Sequence, residues 1–398
     1  MALTQVAGGM IVSGVTLTSP TLTTPALGTP ASGILTSCTG INYDGFKNRI
    51  INGAMQIDQR LGGASQTPAS QNLYNIDRWY TTGGGAGLSF TIQQNQGSIT
   101  PPPGFTNYLG ITSTAANTPG SGTLNGRFIQ IIEGYNTSDL NWGTANAQSV
   151  TLSFWVRSSL TGQFAVSPAM SGGDPQYGGI YTINSANTWE YKTIIIPGPT
   201  IGSGWNEGTN SAGVAFNFWL LAGSQLVSNC ANTWSTGLYA GINMPTGSVN
   251  LLATNGATWK ITGVQLEKGS TATSFDYRPY GTEYDLCRRY FEQWNFSNTG
   301  SATVNQYIGL GQGYSSTDGR TVLNYYPKRA QPSCAVNGGG LRFSTSGGGA
   351  TGTSGWTFDQ PGPIAVLLYN SSLTGITQGY SYHVVGTAAG NITFNAEL

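Results

Sequence analysis

Groups able to do catalytic chemistry are scarce in this chain. The single histidine, His383, lies in the alternating run QGYSYHVVG with no acid or cysteine beside it. Nucleophilic catalysis needs a base that a third group orients, and a lone histidine on a strand reads as structural. Cys38, Cys230, Cys287 and Cys334 are far apart in sequence and form no CxxC pair, so the clustered ligands of a zinc site are missing. No D-x-D-x-D-G loop is present for calcium. No metal and no cofactor are expected. Glycoside hydrolysis uses two carboxylates about 5 to 10 Å apart. Between Glu133 and Glu267 the acids are Asp139, Asp174, Glu190 and Glu207, no two of them adjacent. No catalytic residue is assigned, and the expectation is a protein that is not an enzyme.

Groups that bind by shape are better supplied. A neutral glycan presents hydroxyls and faces of C–H groups, which flat aromatic rings, amides and backbone groups meet. Trp142 in DLNWGTANAQ, Trp205 in GSGWNEGTN and Trp234 in NCANTWSTG sit among small polar residues that read as loops, as does Tyr177 in GGDPQYGGIY. These four are the candidate carbohydrate-contacting residues. The competing expectation is that such rings fold down and cap the end of a β-sandwich. Trp155 and Trp219 fall on the polar side of their strands and are expected to pack on another domain or a neighbouring subunit.

The elements that must carry these loops are strands. In VTLSFWVRSS, Val150, Leu152, Phe154 and Val156 share one face. AGVAFNFWLL repeats the pattern with Val214, Phe216, Phe218 and Leu220, and TWEYKTIIIPG places Trp189, Tyr191, Thr193 and Ile195 together. WKITGVQLEKG carries Trp259 and Ile261, then Val264 and Leu266 after a glycine that predicts a bulge. Strands at this spacing, with no helical pattern between them, predict an antiparallel sandwich or jelly roll over residues 43–280. NRIINGAMQIDQR reads as a further strand at its start.

A third part, residues 281–398, opens on a helical pattern. GTEYDLCRRYFEQW has Tyr284, Leu286, Cys287, Tyr290, Phe291 and Trp294 at spacings of three and four, with Thr282 as N-cap and acids in the first turn. The runs ATVNQYIGLGQGY, TVLNYYP, IAVLLYN and NITFNAEL then predict a second, smaller β domain. Gly309, Gly311 and Gly313 in GLGQGY precede no helix and no Lys-Ser/Thr, so they read as a strand closely approached by another backbone, not a phosphate loop.

Residues 1–42 differ from the rest. No charged residue precedes Asp44, and residues 16–30 read TLTSP TLTTP ALGTP. Pro20, Pro25 and Pro30 each lack an N–H and hold the chain extended. Leu17, Leu22 and Leu27 recur at the same interval and expose an apolar row that other copies of the chain, or a larger particle, must cover. These leucines are the candidate attachment residues. The first residues contain no Lys or Arg and no apolar core of signal-peptide length, so synthesis in the cytoplasm is expected. Sixteen basic residues are balanced by sixteen acidic ones, and only 8% of the chain is charged, which gives no basic stripe for nucleic acid. No run of 18 apolar residues exists for membrane insertion. A disulfide framework is not needed at this size.

Several of these segments together resemble tailed-bacteriophage fibre or spike proteins. They are the arm SGVTLTSPTLTTPALGTPASGILTSCTG, NRIINGAMQIDQR with YNIDRW, ITGVQLEKGSTATSFDYRPYGTEYDLCRRYFEQW, and the ending NITFNAEL. The resemblance implies a virion surface protein, a homotrimer with a carbohydrate-binding-module-like jelly roll in the middle and a distal β domain. It leaves tail and head positions equally open. Residues 1–42 would dock to other virion structural proteins, the helix would pack around the threefold axis, and multivalent adhesion to host surface glycans would follow. The alternatives are a head or collar decoration fibre and a capsule polysaccharide depolymerase. Arg49, Asp58, Arg60, Asp77, Arg78, Glu267, Lys268, Asp276 and Arg278, which carry part of the resemblance, are expected to make structural ion pairs.

Overall fold

Strand Val150–Ser158 shows why the chain folds as layers. Its alternate residues Val150, Leu152, Phe154 and Val156 are all fully buried, packed on Phe216 and Phe218 of strand Ala212–Ala222 from the facing sheet. Phe154 meets Phe218 edge to face at 5.3 Å between ring centroids, and each such buried side chain contributes about 1.5–3 kcal/mol. The computed structural model describes residues 46–68, 72–83, 87–120, 122–170, 172–238, 241–296, 306–338, 341–344, 355–386 and 390–398. Residues 44–398 form one compact unit. The arm, with Leu17, Leu22, Leu27 and Cys38, lies outside the described residues.

The jelly roll contains β1 (Leu73–Ile76), β2 (Trp79–Thr81), β3 (Phe90–Gln94), β4 (Leu109–Ser113), β5 (Asn125–Glu133), β6 (Val150–Ser158) and β7 (Gly162–Met170). It continues through β8 (Gln176–Tyr177), β9 (Gly179–Ile183), β10 (Glu190–Ile196), β11 (Ala212–Ala222), β12 (Val227–Ser228), β13 (Trp234–Ser235), β14 (Met244–Pro245) and β15 (Thr258–Lys268). One sheet has eight strands in the order β1-β2-β5-β11-β7-β8-β13, with β9 beside β7; the other has five in the order β10-β6-β15-β4-β3. Pairing within both is antiparallel. The bulge expected in β15 is present: the register slips between Thr262 and Gln265, and Gly263 sits at φ 62°.

Two expectations need correcting. NRIINGAMQIDQR forms no strand. Asn52 at φ 57° turns the chain, and its side chain accepts from the Gln56 and Ile57 N–H groups while donating to the Ile57 and Asp77 carbonyls. Side-chain bonding thus takes the place of a ladder. The helix α1 spans Tyr280–Arg288, shorter than its pattern, with Pro279 and not Thr282 at the N-cap. Phe291–Phe296 leaves the helix to pair with the closing strand Gly390–Asn395, since aromatic residues on a half-buried pleat favour the sheet. The buried face of α1, Cys287 with Tyr290 beyond it, packs on Ile51 and Ile57 of the same chain.

The second, smaller β region holds β16 (Phe291–Phe296), β17 (Gln306–Gly313), β18 (Gly319–Asn324), β19 (Ser333–Gly338), β20 (Leu341–Ser344), β21 (Thr357–Asp359), β22 (Ala365–Asn370), β23 (Ser381–Gly386) and β24 (Gly390–Asn395). They form a three-stranded sheet, β16-β24-β19, and a six-stranded one, β20-β23-β17-β18-β22-β21. Gly311 and Gly313 of β17 are pressed by neighbours: a Cβ would lie 2.3 Å from the Phe343 ring and 2.3 Å from the Thr377 carbonyl oxygen, respectively.

Buried charges tie this region to the jelly roll. The Glu397 carboxylate pairs with Arg60 at 2.9 Å and with the fully buried Arg78. Arg78 and Arg60 lie 3.5 Å over the rings of Tyr290 and Phe291. Glu133 receives Arg289 at 2.5 Å and the Tyr290 hydroxyl at 2.7 Å. Removing one partner of such a pair strands the other as a buried charge.

Candidate functional site

The four candidate aromatic residues come together. Trp142 lies edge-on to Trp205 at 5.1 Å and to Trp234 at 5.6 Å; Trp205 meets Trp234 at 5.7 Å and Tyr177 meets Trp234 at 5.6 Å. Segments distant in sequence supply one cluster: Trp142 and Trp205 come from loops, but Tyr177 and Trp234 are cross-strand partners on the short strands β8 and β13, which corrects the expectation of loops at those two positions. Gly143, at φ 83°, makes room for it, because a Cβ there would meet the Trp205 ring at 2.8 Å. Trp142, Trp205 and Tyr177 are only 3%, 5% and 4% exposed, and Trp234 is half-buried. Their indole N–H groups donate to carbonyls, Trp142 to Gln148 at 2.8 Å and Trp234 to Pro197 at 2.7 Å. The tryptophan rings meet edge to face, which closes most of the area of Trp142 and Trp205 to solvent. The rings pack as a cap on the core, and of the four, Trp234 keeps partial exposure.

A second surface, distinct from this cluster, is the outer face of the eight-stranded sheet. The cross-strand pairs Arg127–Trp219, Ile129–Asn217 and Ile131–Ala215 of β5 and β11 face outward, continued by Ala169 and Ser167 on β7 and Tyr80 on β2. The segment around Leu226, Ile242 and Met244 covers half of this face by packing on Ala165, Trp219 and Ala222. Trp219 is therefore buried within its own domain, which corrects the expectation of an interdomain or intersubunit contact; Trp155 packs at 5.4 Å on Tyr191, its cross-strand partner in the five-stranded sheet. The uncovered half is a groove of about 260 Å³ lined by Tyr80, Arg127, Ile131, Ala215, Asn217, Met170 and Ile242. This is close to the lower bound of about 300 Å³ for small-ligand sites. Its rim is glycine backbone: Gly173 sits at φ 97°, and a Cβ there would lie 2.9 Å from the Gly241 carbonyl oxygen.

Hydrogen bonds hold the polar floor of the groove. Asn217 donates to the Ser167 carbonyl at 2.9 Å and accepts from Arg127 Nη1 at 2.9 Å. Arg127 Nε donates to Asn125 Oδ1 at 3.1 Å, and the guanidinium lies 5.4 Å over the Trp219 ring. Burial pushes the Arg127 pKa down and the Tyr80 phenol pKa up. The groove thus offers an aromatic edge, apolar walls and an arginine that the buried Asn217 amide holds in place.

The four acids considered for hydrolysis are engaged otherwise. Asp139 pairs with Arg49 at 2.7 Å and with Lys268 at 3.4 Å, Glu190 with Lys192 at 2.6 Å. Glu207 accepts the Trp142 N–H at 2.8 Å, and Asp174 accepts from Gly237 N at 2.9 Å. His383 lies on β23 with its ring edge-on to Tyr307 at 5.0 Å. Among the described residues no group of His, Cys, Asp and Glu could hold a metal ion, and no helix is long and apolar enough to cross a membrane. Cys230, Cys287 and Cys334 are free thiols. Of the ions expected to pair, Arg278 meets Glu283 at 3.1 Å and Asp276 at 3.8 Å, and Arg49, Arg60, Arg78 and Lys268 pair as given above. None of the groove's residues carries a local signal in the sequence. The outward phase of Arg127 and Asn217 on their strands is the one trace it leaves.

No family model matches the chain, and no curated protein matches it. Among solved structures, the chain is similar to the enzymatically active domain of bacteriophage CBA120 tailspike protein 4, at 14% identity over 57% of this chain, with a TM-score of 0.30. It spans 22% of that tailspike chain. A family 4 carbohydrate-binding module shares 15% identity over 55% of this chain and 98% of its own, with a TM-score of 0.28. The family 11 carbohydrate-binding module of a Clostridium thermocellum cellulosomal cellulase shares 12% identity over 52% of this chain and 98% of its own, with a TM-score of 0.23. Likenesses of this order carry no argument about the ligand.

Proposed function

We propose that this chain is a glycan-binding adhesion protein of a bacteriophage particle, without hydrolytic activity, and that the groove on the eight-stranded sheet is its binding site. The observation that carries this reading is the groove itself: a concave surface with Tyr80 and an Arg127 held by the buried Asn217, rimmed by glycines, in a domain whose other large aromatic residues are mostly consumed by packing. Shallow sites of this kind bind weakly one at a time. A homotrimer displayed in several copies raises avidity without any new contact, and the proline-spaced arm with Leu17, Leu22 and Leu27 is suited to docking such a trimer on other virion proteins.

The purified chain is expected to bind host surface polysaccharides on a glycan array, and Ala215→Trp, which fills the groove floor, is expected to abolish binding while the fold is kept. Absence of binding to every host polysaccharide counts against adhesion. Release of new reducing ends from a bound polysaccharide would favour a depolymerase. Replacing Leu17, Leu22 and Leu27 with serine is expected to lower incorporation into particles and to leave glycan binding by the soluble chain unchanged.

A further inference from the structure

The arginines and lysines of this chain are mostly neutralised where they are buried. Arg78, Arg60, Arg278, Arg289 and Lys328 each face a carboxylate. Arg127, half-buried on the groove floor, faces none among the described residues. Its partners are the neutral amide oxygens of Asn217 and Asn125, at 2.9 and 3.1 Å. Among the described residues only Nε and Nη1 donate to these partners, and the side chain lines the groove.

We infer that the glycan held in this groove is anionic, and that Arg127 receives its charged group, a carboxylate or phosphate on the sugar. This rests on the glycan-binding reading of the groove. A cation partly removed from water without a counter-ion is costly, and the cost falls when a ligand brings the missing charge. Two amides and the Trp219 face already hold the guanidinium, so little side-chain freedom is lost on binding. The remaining N–H groups are free to donate to an oxyanion in a charge-assisted bond, which is stronger and shorter than one to a sugar hydroxyl. The groove walls, Ile131, Met170 and Ile242, are apolar and bring no competing negative charge.

The test is an array of purified bacterial capsular and lipopolysaccharide polymers and teichoic acids, each uronic or sialic polymer printed beside its carboxyl-reduced form. The full chain, Arg127→Met and Arg127→Lys are compared, with thermal melts of each. The expected result is binding to acidic polymers that falls about 10- to 100-fold on carboxyl reduction or in Arg127→Met, weakens with added salt and is partly restored in Arg127→Lys. Preference for teichoic acids over carboxylate polymers, with the same dependence on Arg127, assigns the anion as phosphate. Equal binding to native and reduced polymers, unchanged in Arg127→Met, overturns the inference and leaves neutral glycan binding standing. Binding to no polymer overturns both. If Arg127→Met does not fold, the comparison of native with reduced polymers decides alone.

Discussion

Asn217 Oδ1 accepts a hydrogen bond from Arg127 Nη1 at 2.9 Å, and the same amide donates to the Ser167 carbonyl at 2.9 Å. Three adjacent strands, β5, β11 and β7, are thereby linked through one side chain that fixes where the groove's charge points. Asn217 acts through Arg127 and is a positioning residue. Asn217→Ala is expected to weaken binding of an acidic polymer about tenfold or less, with little change for its carboxyl-reduced form. Calorimetry on the two ligands checks this, because a merely structural role would lower both affinities together.

Trp205 belongs to the cap cluster, edge-on to both Trp142 and Trp234. Trp205→Ala is expected to cost about 3–5 kcal/mol of stability, the range for opening a large cavity, with glycan affinity unchanged at temperatures where the variant is folded. Denaturant unfolding and binding measured on the same preparation separate the two effects. A stable variant that no longer binds would return the sugar contact to the aromatic loops.

Asp77 is fully buried beside Arg60 and accepts from Gln59 N at 2.7 Å and Gln59 Nε2 at 2.6 Å. Burial is the largest influence on it and raises its pKa from 3.8 to about 7. Between these values the folded state binds the proton that the unfolded state has released, so this carboxyl lowers stability progressively as pH rises from about 4 to about 7. The effect over that window is at most about 4 kcal/mol. Asp77→Asn is expected to flatten this part of the stability profile. Unfolding midpoints from pH 4 to pH 8 test it, and an unchanged slope would show that Asp77 stays ionised throughout.

Lys260 is 5% exposed on the outer face of the five-stranded sheet, opposite Arg157 in register, and among the described residues its ammonium has no hydrogen-bond partner. Burial first, and then the neighbouring guanidinium, lower its pKa from 10.5 to about 8. The folded state releases this proton first, so stability is expected to rise between pH 8 and about 10.5 and to be penalised below pH 8. Lys260→Met keeps the length and removes the charge. A raised Tm at pH 7 is expected, with loss of the alkaline gain; a lowered Tm would mean that the ammonium has a stabilising role.

Local pattern was enough for the main sandwich strands, though not for NRIINGAMQIDQR, where the side-chain bonds of Asn52 replace a ladder. The burial of Val150, Leu152, Phe154 and Val156 on one face, the bulge at Gly263 and the tight approach to Gly311 and Gly313 were legible, because side-chain period and the missing Cβ act within a few residues. The existence of the helix was legible, but both of its ends differ from the pattern, with Pro279 at the N-cap and Arg288 as the last residue. Residues 289–296 carry a helical spacing, yet pairing of Phe291–Phe296 with Gly390–Asn395, a hundred residues away, outweighs it.

What the sequence by itself determined is the mainly β architecture, the order of its parts and the poverty of catalytic groups. What only the tertiary structure decided is the site. Trp142, Trp205, Trp234 and Tyr177 looked like separate loop platforms and converge into one buried cap, while Arg127 and Asn217, unremarked in the sequence, share the floor of a groove. The reason is physical. Alternation along a strand states which way a side chain faces, but whether that face is covered, and whether a charge finds its opposite, depends on loops and strands brought together across long stretches of chain.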